Sequence, residues 1–242
     1  MKTSKQYTKK EILSTGEEDY RLCVQNYTIR DLTKEYDSLN AFEGMIGYLT
    51  KCYFPDGLIW GLPLREFPQA LRWCHYRTAT PRRRNDFPTW AWCGWQGKAI
   101  YSAPLDLTKE YQDSPHIMTD LTVEFVRHDN QILTVRGYQV RLDIRKEPFS
   151  EAFVPDTNSS LGPVVEGDLP PHKNNLTSGR YVFLVVERLK YGEAHPLKEK
   201  VYMLLLDWDG FFWLRNTQVL LILEPGLKFE IAKPHFVTMR LK

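Results

Sequence analysis

The sequence has no CxxC pair, no HExxH, no GxSxG, no GxxxxGK[ST] and no GxGxxG. Each absence removes a chemistry: paired-thiol or helix-borne zinc, acyl transfer from a nucleophile elbow, nucleotide phosphate held on a P-loop, and dinucleotide binding at a strand-helix turn. Only four cysteines are present, Cys23, Cys52, Cys74 and Cys93. They lie too far apart for a zinc knuckle and read as free thiols of a reducing compartment. The histidines, His75, His116, His128, His172, His195 and His235, show no ligand spacing. No metal and no cofactor is therefore expected.

Long apolar runs are also missing. The stretches 201–206 and 219–223 fall far below the roughly 20 residues that a spanning helix needs. The basic N-terminus, Met1 to Tyr7, is not followed by the apolar core of a signal peptide. The expectation is a cytoplasmic protein with no membrane partner, so the sequons at Asn26, Asn158 and Asn175 read as chance matches. An excess of charge is lacking too: 32 basic and 30 acidic residues leave a formal net charge of +2. No global field draws the chain to nucleic acid, and the one basic triplet, Arg82 to Arg84, lacks the further cations and aromatics of a phosphate-tracking groove. No nucleic-acid partner is expected.

What the chain does have is aromatic density. Three of its seven tryptophans, Trp90, Trp92 and Trp95, lie with Phe87 just after Arg82, Arg83 and Arg84. Rings of this size at this density read first as anchors joining two layers of a fold. The alternative is a ligand platform in which Arg83, Arg84, Trp90, Trp92 and Trp95 form an aromatic and cationic pocket for an anionic or sugar-like ligand.

Periodicity divides the chain. Tyr20, Cys23, Val24 and Tyr27 recur at helical spacing over 17–28, and Leu39, Phe42, Ile46 and Leu49 mark one face of a second helix that Asp37 would cap. Ala41, Gly44 and Gly47 lie between those positions and predict close approach of another segment. A short helix is expected over 67–74. Beyond residue 86 the period becomes alternating, with strands expected at 90–101, 121–125, 132–136, 140–144, 180–187, 201–208, 211–215, 218–223 and 237–241, and a hairpin turn at Asp209-Gly210. The stretch 146–179 is rich in Pro, Gly, Asn, Ser and Asp and reads as a loop-rich insertion. The fold class expected is α+β: a small N-terminal helical lobe, 1–85, followed by a mainly antiparallel β-rich lobe, 86–242.

No pair of titratable groups stands out as catalytic. His75 beside Cys74 is no dyad by adjacency alone, the carboxylates Glu17, Glu18, Asp19, Asp37 and Glu43 fit a solvated helix face or caps, and Asp207 and Asp209 fit turn chemistry. An enzyme of unrecognised type remains only as an alternative.

Three segments together resemble a known family. Tyr27-Thr28-Ile29-Arg30-Asp31-Leu32-Thr33 and Asp37-Ser38-Leu39-Asn40-Ala41-Phe42-Glu43-Gly44 are similar to the block downstream of the conserved core in fungal heterokaryon-incompatibility (HET) domain proteins. Gly61-Leu62-Pro63, Phe67, Ala70-Leu71-Arg72-Trp73, Arg82 to Arg84 and Phe87-Pro88-Thr89-Trp90-Ala91-Trp92-Cys93-Gly94-Trp95 continue that series, with Thr89 and Ala91 where serines are usual. The resemblance covers about residues 20 to 101; the hydrophobic strands from Val201 and the stretch Ile231 to Pro234 resemble the ends of such proteins less specifically.

The LSYxWG-type and RxWTxQE-type motifs of the HET domain proper do not occur in this sequence. The resemblance therefore implies a non-enzymatic region downstream of that TIR-related domain, as a truncated product or stand-alone relative. Any TIR-like NAD cleavage would belong to the domain that is not here, and no catalytic residue carries over. The implied role is regulatory or partner-recognising, in fungal non-self recognition and the cell death that accompanies it. The expected partner surface, for a protein partner or the missing HET domain, is the helical face of Leu39, Phe42, Ile46 and Leu49.

Overall fold

The computed structural model describes residues 9–76, 81–101, 116–125, 131–146, 149–167, 176–192 and 199–242. The architecture is mainly antiparallel β with a small helical part. Two helices, α1 (Lys9–Thr28) and α2 (Glu43–Cys52), precede a series of short strands. These are β1 (Leu58–Ile59), β2 (Leu62–Pro63), β3 (Trp73–His75), β4 (Arg82–Arg83), β5 (Trp95–Gln96), β6 (Ala99–Tyr101), β7 (His116–Met118) and β8 (Thr122–Phe125). Longer strands follow: β9 (Leu133–Lys146), β10 (Ser150–Phe153), β11 (Ser160–Glu166), β12 (Gly179–Lys190), β13 (Glu199–Trp208), β14 (Trp213–Leu223) and β15 (His235–Leu241).

Six of these close on themselves. β9 pairs with β10, β10 with β11, β11 with β14, β14 with β13, β13 with β12, and β12 returns to β9, every pairing antiparallel. Alternation then sorts side chains to the inside and outside of the barrel. Val140, Leu142 and Ile144 of β9, Phe183 and Val185 of β12, and Val201, Met203 and Leu205 of β13 fill the interior, joined by Val219, Leu221 and Leu223 of β14. Phe229 and Ala232, from a 3-10 turn (Phe229–Ala232), join the same cluster. The barrel is a packed core, each large side chain contributing about 1.5–3 kcal/mol by burial.

The outward-facing residues of the same strands build a second core. Leu184, Val186, Leu204 and Leu206 meet Leu133, Val135, Met239 and Leu241, and over them lie Tyr20, Val24, Tyr27, Phe42, Leu62, Leu71, Trp73, Trp90 and Trp92. Apolar residues of 20–76 and 87–101 thus coat the outside of the barrel. β15 lies beside the first half of β9, with Leu241 opposite Leu133, and touches β14 at Trp213.

Several expectations need correction. The expected insertion 146–179 contains two barrel strands, β10 and β11. Their signal was masked because β11 reads Ser-Leu-Gly-Pro-Val-Val-Glu, with Gly162 at φ +129° and a register shift at Ala152/Phe153. The expected boundary at 85/86 falls within paired segments: β4 pairs with β5 and β3 with β6, both across it. The helix expected over 67–74 is a 3-10 turn (Gln69–Arg72) followed by β3, whose backbone is claimed by β6. The strand expected at 90–101 opens instead with a 3-10 turn (Trp92–Gly94).

The second helix starts at Glu43, after 3-10 turns at Glu35–Asp37 and Asn40–Phe42, so Asp37 does not cap it. The cause is Ser38, which is fully buried: its carbonyl accepts the Tyr27 hydroxyl at 2.6 Å and its own hydroxyl accepts from Arg84 at 3.1 Å.

Candidate functional site

The tryptophan and arginine residues expected as a ligand platform are placed in the interior. Trp90 and Trp92 are fully buried, and Trp95 is half-buried. The Trp92 ring meets Phe42 at 5.1 Å and Tyr27 at 5.9 Å, and its indole N–H donates to the Tyr20 hydroxyl at 3.3 Å. Trp90 donates to the Gln131 carbonyl and accepts at its own carbonyl from the Trp73 indole, both at 2.9 Å; Trp95 donates to the Thr89 carbonyl at 2.8 Å. Gly61, at φ +81°, is where a Cβ would overlap the Trp92 ring, so glycine is required there.

The cations are consumed in the same way. Arg83 donates to the carbonyls of Arg84, Phe87 and Gly94, and Arg84 to Ser38 Oγ and the carbonyls of Cys93 and Trp95. Arg82 is exposed and pairs with Glu35. A guanidinium has five N–H donors in a fixed fork, and here the forks hold a folded-back loop together. The pocket expected of these five residues is not formed as a group: Trp90 and Trp92 are buried, only Trp95 and Arg83 keep partial exposure, and both arginines are fastened to loop oxygens.

Groups able to do chemistry are held in unreactive forms. Burial pushes the Cys93 thiol up to about 12 and holds the His75 imidazole down at about 4, with the Arg215 charge adding to the effect on His75. Arg215 is fully buried, and burial lowers it to about 9; its guanidinium donates to the carbonyls of Trp73 and Trp90 and lies 3.6 Å from the Trp73 ring centroid. Burial also raises Tyr20 and Tyr101, whose hydroxyls share a hydrogen bond of 2.9 Å. A general acid or base works best with a pKa near the ambient pH, and the shifts of Cys93, His75, Tyr20 and Tyr101 run away from it, while Arg215, though lowered, is fastened to two backbone carbonyls.

Two ion pairs are buried, one joining the outer segment to the barrel and one joining neighbouring strands β12 and β13. Arg72 pairs with Glu187, which also accepts from Gln69 at 3.2 Å, and Arg188 pairs with Glu199 at 2.5 Å. Among the described residues no group of three His, Cys, Asp or Glu could hold a metal ion. No described helix is long and apolar enough to cross a membrane.

The expected partner face is turned inward. Phe42 and Leu49 are fully buried, and half-buried Leu39 and Ile46 pack on the same core. What α1 and α2 leave open lies at the flank of that face, a groove of about 390 Å³ lined by Leu22, Cys23, Tyr27, Phe42, Met45 and Tyr48, with Asp19 and Arg30 among its polar residues. Leu22, Met45 and Tyr48 are exposed. Gly44 and Gly47, expected to receive a close neighbour, have nothing within 4 Å of where a Cβ would lie. Neither glycine lines the groove, and no periodic stripe in the sequence marked it.

No family model, no curated protein and no solved structure matches the chain.

Proposed function

We propose that the chain is a non-enzymatic partner-recognition or regulatory module of the HET type, acting in fungal non-self recognition and its associated cell death, in the cytoplasm. The observation that carries this reading is how the family-like residues are used. Tyr27, Ser38, Phe42, Gly61, Trp73, Arg83, Arg84, Trp90 and Trp92 touch and hydrogen-bond one another in one layer, and none projects a reactive group into an open cleft. Their pattern is that of a folding unit.

In this reading the N-terminal part is a small helical lobe that presents a docking face, and the β-rich lobe is its support. The docking face is the α1–α2 groove, whose apolar rim of Leu22, Met45 and Tyr48 suits a protein surface such as a HET domain.

The test is expression of the chain in a fungal host, alone and with a HET domain supplied in trans, with viability scored, beside an NAD-consumption assay on the purified chain. The expected result is no NAD loss, and a change in viability that depends on both the added domain and the groove. Met45→Glu should abolish that dependence. NAD consumption by the purified chain would overturn the non-enzymatic reading.

A further inference from the structure

The hairpin joining β13 to β14 ends in Asp207-Trp208-Asp209-Gly210-Phe211-Phe212-Trp213; Trp213 packs on the outer core, while Trp208 and the tip from Asp209 to Phe212 belong to neither of the two cores nor to the docking groove. Phe211 is 81% exposed and Trp208 54%. The tip is held in one shape: Asp209 Oδ1 accepts the backbone N–H of Phe211 at 2.8 Å and of Phe212 at 2.7 Å, and Gly210 takes φ +104°. Trp208 leans on Trp213 with ring centroids 5.2 Å apart. The aromatics are therefore displayed by a rigid turn, with little ordering left to do on contact.

The charges around the tip are sorted. Asp207 accepts the Asn216 amide at 2.8 Å, and Asp209 stays ionised, held low by the turn's own N–H groups and also by the nearby Lys242 charge. Arg240 and Lys242 lie at its base, over the Phe212 ring at 4.9 and 5.6 Å; Lys242 faces the Asp209 charge, and Arg240 has no acidic hydrogen-bond partner among the described residues. A convex knob with aromatic rings at its end and outward cations at its foot matches the layering of a lipid surface. Rings enter the zone between headgroup and acyl chain, while ammonium and guanidinium groups stay level with the phosphates. The apolar runs are too short to span a bilayer, a limit that does not apply to an interfacial contact.

We propose that this hairpin is an interfacial anchor for a phospholipid surface, with Phe211 and Trp208 as the inserting rings and Arg240 and Lys242 contacting lipid phosphates. It rests on none of the residues assigned to partner recognition. The occupant is lipid rather than a protein pocket because the cation rim is complementary to a phosphate layer and the tip is convex.

The test uses the full chain with vesicles of phosphatidylcholine alone, and of phosphatidylcholine mixed with phosphatidylserine, in a flotation assay. The chain should float with both, and more strongly with the phosphatidylserine mixture at low salt. Phe211→Ser, at a position so exposed that the melting temperature should not change, should lower partitioning to both by at least about tenfold. Arg240→Gln with Lys242→Gln should weaken mainly the phosphatidylserine arm. Absence of flotation with either vesicle, or flotation that survives Phe211→Ser combined with Trp208→Ser, overturns the proposal. So does a concentration-dependent dimer, seen in sedimentation without vesicles, that Phe211→Ser abolishes: the tip would then bind a second copy.

Discussion

Acidification from about pH 7.5 to about pH 5 should cost this fold about 2 kcal/mol through His75 alone. Both ring nitrogens of His75 are buried with no hydrogen-bond partner, between the rings of Trp73 at 5.3 Å and Trp95 at 5.5 Å. Burial, assisted by the Arg215 charge, lowers its pKa from 6.5 to about 4. Above 6.5 neither the folded nor the unfolded chain carries this proton, and the group adds no pH dependence. Between 6.5 and 4 the unfolded chain takes up a proton that the folded chain refuses, so stability falls as pH falls. The full loss below that window is about 3 kcal/mol, from about 1.4 kcal/mol for each pKa unit.

Urea unfolding at a series of pH values measures the effect, with His75→Phe as the reference because it keeps an aromatic ring between the two tryptophans. Carboxylates held low by their partners, such as Asp143 and Glu230, also weaken the fold in acid, but equally in both proteins, so the difference between the two curves isolates His75. The wild type should lose about 2 kcal/mol more than the variant over this range. Parallel curves would refute the argument and show that the imidazole is protonated in the folded state.

Removing one partner of the buried Arg72–Glu187 pair by Glu187→Leu should cost about 3–5 kcal/mol in denaturant unfolding, and Arg72→Met in that background should recover much of the loss. Gly61→Ala should fail to fold or melt far lower, because positive φ and the Trp92 ring both oppose a side chain. Gly44→Ala and Gly47→Ala, by contrast, should each add about 0.5–1 kcal/mol to the free chain, since open space surrounds both and alanine favours the helix; a decrease in melting temperature would mean that this face is already covered. In the native protein a thiol reagent should modify exposed Cys52 rapidly, while Cys93, buried and with its thiol at about 12, should react only on unfolding.

Much of the barrel was legible as separate strands. The alternation at 201–208 and 237–241 corresponds to β13 and β15, and the two runs 132–136 and 140–144 are one continuous strand, β9, whose odd positions face the outer core and whose even positions fill the barrel. Closure was not legible, because it depends on β11 meeting β14 and on β12 meeting β9, contacts between segments far apart in the chain. The tryptophan cluster was legible as an anchor and not as a shape. Trp90 through Gly94 are all buried, so no polar face marks a period, and a turn fed by Arg83 and Arg84 replaces the expected strand. The orientation of α2 escaped for a related reason: Phe42, Met45, Tyr48 and Leu49 form one broad apolar arc, and the rings of Tyr27 and Trp92 decide that Phe42 is buried while Met45 and Tyr48 stay at its exposed flank.

The position of Thr89 has a consequence for synthesis. Its hydroxyl donates to the Lys242 carbonyl and accepts the backbone N–H of Arg215 at 3.1 Å, and the core around Trp90 is completed by Met239 and Leu241. A nascent chain that has released only its first hundred residues holds most of its aromatic layer with nothing to lay it against. Part of that apolar surface stays uncovered until β15 leaves the ribosome, a delay of about 10 seconds at ordinary elongation rates. The interval in which this protein most needs a chaperone is therefore set by β15, which acts on a layer made long before it.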